Sequence, residues 1–132
     1  MTNDFHPDTA ADIADYLSQG VDMPTAPGTI YVSLYDDTGT ELNGSLQNGR
    51  VSTTAGTDWT ITNTAFENTN QIDFGEATAD ITVQEVSLKI ADDTDTNTTV
   101  LVKGDIASAP QDFANGTQVL FEAGAFDFDV LD

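Results

Sequence analysis

The chain has 132 residues and a mass of 14.0 kDa, enough for one domain with a hydrophobic core of its own. Three bases stand against 23 acids, a formal net charge of -20, which leaves no basic patch to neutralise phosphates and argues against nucleic-acid binding. Cysteine is absent, which removes disulfides, thiol catalysis and zinc–thiolate sites, and no apolar run approaches a membrane span.

The opening MTNDFHPDTAAD is acidic and has neither a basic nor an apolar region of the secretory-signal kind, so it is not read as a signal. A helix is expected over Asp8 to Gln19. Asp8 or Thr9 would cap it, acids occupy its first turn, and Gly20 stops it. Ile13, Tyr16 and Leu17 form a narrow apolar stripe at helical spacing. That stripe serves a packing helix or, as the alternative, an arm docking on another subunit.

Pro24 to Gly28 breaks the chain, and strands follow. In Thr29 to Tyr35, Ile30, Val32 and Leu34 alternate with Tyr31, Ser33 and Tyr35. Further strands are expected at Arg50 to Thr54, Trp59 to Asn63 and Gln71 to Phe74. Ala79 to Ala91 is long and changes phase at Gln84–Glu85, the mark of a bulge or a break between two strands. Thr98 to Ile106, Val119 to Glu122 and Ala125 to Leu131 complete the set, the last with Phe126, Phe128 and Val130 on one face. Short strands punctuated by Asn, Gly, Thr and Asp predict a mainly β fold, an antiparallel sandwich or jelly roll with one short N-terminal helix. Residues 1–28 are the arm and 29–132 the sandwich domain.

Acids run from Asp4 to Asp132 rather than gathering in a tail. Self-repulsion of this size destabilises a compact state in dilute buffer and is screened in brine. The spread therefore fits adaptation of the whole protein to high salt better than an acidic DNA mimic or a binder of basic partners.

Few residues offer chemistry. The single histidine, His6, lies beside Pro7 near the terminus, where it is poorly placed to act as a positioned catalytic base. Paired carboxylates can be drawn almost anywhere among 23 acids and say nothing about glycosidase chemistry. Asp92, Asp93, Asp95 and Asn97 imitate the start of an EF-hand loop, but Thr98 stands at its glycine position and Gly104 at its bidentate glutamate. The cluster reads as a solvated hairpin tip, with a weak site for Ca2+, Mg2+ or Na+/K+ as the alternative and no other cofactor expected. Asn43, Asn97 and Asn115 head glycosylation sequons in predicted turns, triplets that chance also produces in so Asn- and Thr-rich a chain. Trp59 with Tyr31 and Tyr35 suits either a carbohydrate platform or, the preferred reading, a core tryptophan and interface tyrosines. Tyr31, Tyr35, Lys89 and Lys103 lie on acid-free strands and are the expected subunit contacts of a trimer or pentamer.

The order of segments resembles short structural proteins of tailed-virus particles, the minor tail, tail-fibre-like or head-decoration proteins. DYLSQG followed by PTAPGTIYVSLYDDTGTEL resembles their opening helix, proline link and first strand. NGRV, VQEVSLKIADDTDTNTTVLVKGDI and FANGTQVLFEAGAFDFDVLD are similar to the later strand, hairpin and terminal pair. The resemblance implies a non-enzymatic structural subunit with no catalytic residues, made in the host cytoplasm and carried in the virion. With the acidic composition it implies a virus of halophilic archaea. The leading expectation is a capsid-surface turret or decoration protein bound to the major capsid protein. A tail or baseplate fibre component, or a module adhering to host-surface glycan, are the alternatives.

Overall fold

The computed structural model describes residues 3–5, 7–94 and 98–130. His6, Asp95 and Asn97 lie outside them, and with these the histidine, half of the hairpin-tip cluster and one sequon.

Among the described residues a short strand β1 (Asn3–Phe5) precedes helix α1 (Pro7–Gln19), and eleven strands follow: β2 (Thr29–Tyr35), β3 (Val51–Thr54), β4 (Trp59–Thr62), β5 (Ala65–Asn68), β6 (Ile72–Glu76), β7 (Ile81–Val83), β8 (Glu85–Lys89), β9 (Val100–Asp105), β10 (Gln111–Phe113), β11 (Gln118–Phe121) and β12 (Asp127–Asp129). Every pairing is antiparallel. The main sheet runs β1-β9-β8-β2-β3. A three-stranded sheet runs β12-β5-β4, and the pairs β10-β7 and β11-β6 complete the fold. The protein is mainly β with a single short helix at its N-terminal end.

The core lies between the main sheet and the smaller ones. Val32 and Leu34 on β2 meet Leu88 and Val86 on β8, and Leu88 meets Val102 on β9. Those side chains pack with Phe74, Val83, Val119, Phe121, Phe126 and Phe128 in one apolar cluster. Aromatic contacts link the smaller sheets: Phe121 lies 4.6 Å from Phe126 and 6.0 Å from Phe74, and Phe66 stacks on Phe128 at 5.5 Å. Val130, expected on the face of Phe126 and Phe128, is instead 47% exposed, because β12 ends at Asp129.

The phase change in Ala79 to Ala91 is a break. Gln84 separates β7 from β8, its N–H donating to the Tyr35 carbonyl while its own carbonyl accepts from Ile106. Gly20, with φ +67, ends α1 as expected. Gly75, at φ +75, is obligatory for a second reason: a Cβ there would sit 2.7 Å from Gln47. Gly75→Ala should therefore lower stability by about 2 kcal/mol, combining backbone strain with a forced shift of Gln47. A denaturant midpoint equal to the parent's would contradict that.

Candidate functional site

Alternation along β2, β8 and β9 turns Tyr31, Ser33, Tyr35, Glu85, Ser87, Lys89 and Lys103 away from the apolar core. Such a face normally meets water. Here Ser33, Tyr35, Ser87 and Lys89 are 0% exposed. The small serines, directly paired across β2 and β8, leave room for a second, polar layer.

Glu41 enters that layer from the hairpin after β2, opposite Tyr35, and accepts hydrogen bonds from the Ser33 hydroxyl and Arg50. Arg50 grips it in fork geometry, Nε to Oε2 and Nη2 to Oε1 both at 2.7 Å, and each side chain is only 7% exposed. The third Arg50 contact goes to the exposed Asp92 carboxylate at 3.1 Å. Lys89 donates to the Asp93 carbonyl at 2.6 Å, with the Asp93 carboxylate 3.2 Å away. Lys103 lies 3.6 Å from Glu85 and 4.0 Å above the centre of the Tyr35 ring. The Tyr35 hydroxyl and Ser87 are hydrogen-bonded at 2.9 Å. Lys89 and Lys103 thus lie on one face of the main sheet and Arg50, just before β3, reaches over it, each base beside an acid.

The charges respond accordingly. Burial alone would raise the Glu41 carboxyl, but the hydrogen bonds from Arg50 and Ser33, with nearby Lys89, hold it below the ordinary carboxylate range. Hydrogen bonding to Glu41 pushes the Arg50 guanidinium further up. Burial raises the Tyr35 phenol, which therefore stays neutral.

This geometry relocates several expected site residues. Tyr35 and Lys89 lie inside the chain and offer no surface to a partner. Tyr31 and Lys103 are half-buried at the rim. Asp92 and Asp93, half of the expected cation cluster, serve as counter-charges to Arg50 and Lys89. Among the described residues no group of three or more His, Cys, Asp or Glu is placed to hold a metal. Trp59 is half-buried against the core, its indole N–H donating to Thr53 at 2.9 Å. Asn43 sits in the 3-10 turn Asn43–Ser45, and Asn115 is exposed in a turn, its backbone N–H on Asp80.

A cleft of ≈ 710 Å³ lies between the linker at Met23 to Gly28 and the sheet end at Tyr31, Ile90, Val100 and Leu101. Its lining includes one acid, Asp12, and no histidine or base, so it holds no general acid–base pair.

The family described as Podophage GP4 fiber I protein gp80 matches residues 5–129, nearly the whole chain. The chain belongs to that family. It is thereby a structural protein of the tailed-virus kind, and the gp80 match spans β2 to β12 as well as α1. The comparison with curated proteins gives no match. The gp80 description names a fibre and so favours the fibre alternative over the capsid-surface turret.

Proposed function

We propose that this gp80-family protein is a non-enzymatic fibre or baseplate component on the tail side of a tailed-virus particle, working in brine as a homo-oligomer. The family match over residues 5–129 carries the reading. Two features of the chain support its finer parts. A net charge of -20 with the Arg50 and Lys89 side chains buried and Lys103 held beside Glu85 leaves an exterior suited to high salt and to a virus of halophiles. Among the described residues the cleft beside Met23 to Gly28 is lined by a single acid and no histidine or base, in keeping with a scaffold. Its partners are further copies of itself and neighbouring tail proteins, and its location is the virion after synthesis in the host cytoplasm.

Copy number in purified particles, measured by quantitative mass spectrometry against the major capsid protein, tests this. A handful of copies per particle is expected. Stoichiometry close to that of the capsid protein would return the assignment to the head, and absence from the particle would overturn it.

A further inference from the structure

We infer that two copies of this chain join along the adjacent free edges β3 and β4, with Ile61 at the centre of the contact. The inference rests on the assembly role proposed above.

Each of the two larger sheets has one acidic edge and one bare one. In the main sheet β1 carries Asp4, whereas β3, VSTT, carries no charge. In the three-stranded sheet β12 is DFD, whereas β4, WTIT, carries no charge. A free edge exposes unpaired backbone groups to any passing strand, and folded proteins usually blunt it with charged side chains. A chain with 23 acids has ample means to do so. Yet between Leu42 and Phe66 the only acid is Asp58, and it caps one end of β3: its carboxylate accepts from the Thr54 N–H at 2.6 Å and its own N–H donates to the Thr54 carbonyl at 3.0 Å, which leaves β4 and the Ser52 end of β3 as the open edge.

The two bare edges are neighbours. One turn joins them, and the Trp59 indole bridges back to Thr53 on β3. Ser52, Thr54, Thr60 and Thr62 are exposed along them, and Ile61 is 73% exposed. The occupant follows from charge. Two copies at -20 repel, and with Arg50 and Lys89 buried and Lys103 beside Glu85 no freely exposed base remains to meet a neighbour's carboxylates. Copies therefore meet best where acids are missing, and strand-edge pairing through the outward backbone groups of Trp59 and Ile61 on β4 and Ser52 on β3 supplies directional hydrogen bonds there.

Multi-angle light scattering in about 2 M NaCl, where the Debye length is near 2–3 Å, tests the inference. The parent should be oligomeric, and Ile61→Asp monomeric with an unchanged melting temperature, since the side chain is mostly in water. In the cysteine-free chain, Thr62→Cys should form a disulfide-linked dimer on mild oxidation, and Asp127→Cys, on the acidic edge, should not. A monomeric parent at every concentration would overturn the inference. So would assembly that survives Ile61→Asp, or assembly lost on Tyr31→Asp instead, which would put the contact at the cleft. None of these results bears on whether the protein resides in virions, which copy number decides separately.

Discussion

Raising NaCl or KCl from about 0.1 M to about 2 M should lift the melting temperature by at least roughly 10 °C. The surface of 7122 Å² carries a net -20, which places neighbouring net charges on the order of 19 Å apart, about two Debye lengths at 0.1 M. Each pair interacts weakly at that spacing, but many pairs act together and the unfolded chain relieves all of them. Several kcal/mol of relief is therefore expected when the Debye length falls below about 3 Å. Sulfate or sucrose raises stability by exclusion from the surface, so the informative control is a neutral osmolyte at matched water activity. A melting temperature that tracks the osmolyte rather than ionic strength would mean that the acidity does not govern stability.

The buried network predicts an effect of similar size from one atom pair. Glu41→Gln should cost about 3 kcal/mol, because Arg50, 7% exposed, loses its bidentate partner and keeps only the exposed Asp92. In a domain of this size that corresponds to roughly 10 °C in melting temperature. The double replacement Glu41→Met with Arg50→Met should lie much closer to the parent, since an apolar pair leaves no orphaned charge. A double mutant as unstable as the single one would assign the loss to packing.

The same carboxyl gives a pH signature. Its folded value is depressed, so its contribution is present in full above the ordinary value near 4.5 and is lost as pH falls through the lower folded one. At low salt this is masked, because protonating the other acids relieves repulsion and acts in the opposite direction. In about 2 M salt, where repulsion is screened, the parent should lose stability below about pH 4.5 more steeply than Glu41→Gln. Identical acid limbs in the two proteins would contradict the depressed Glu41.

How far this architecture could be read in advance varies along the chain. β2, β3, β4, β9 and β11 were legible because apolar alternation or flanking turn residues mark them, and the break at Gln84 showed as a change of phase. β5, AFEN, and β10, QDF, were not, since three or four residues without a repeating pattern become strands only through partners distant in sequence. β1 fails for the same reason.

The polar layer was hidden more deeply. A lysine in a strand reads as surface, so the sequence alone points Lys89 and Tyr35 toward a subunit contact, whereas both are buried. One signal was present. The tripeptide Val-Ser-Leu occurs on both β2 and β8 and pairs with itself in antiparallel register, Ser33 opposite Ser87. Small hydroxyls at the centre of two neighbouring strands mark a face with room for a covering layer, and the lone arginine was the natural residue to look for above it. The run from Leu42 to Phe66, with Asp58 as its single acid, was equally visible in the sequence. It became meaningful only once the topology showed that it forms two free edges.

The central claim is that this chain is a tail-side fibre component, and its most direct test is gold-labelled antibody on intact particles viewed by electron microscopy. Label confined to the tail or its appendages is the predicted result. Gold spread evenly over the capsid, or particles left bare while the protein remains in the cell lysate, would contradict it.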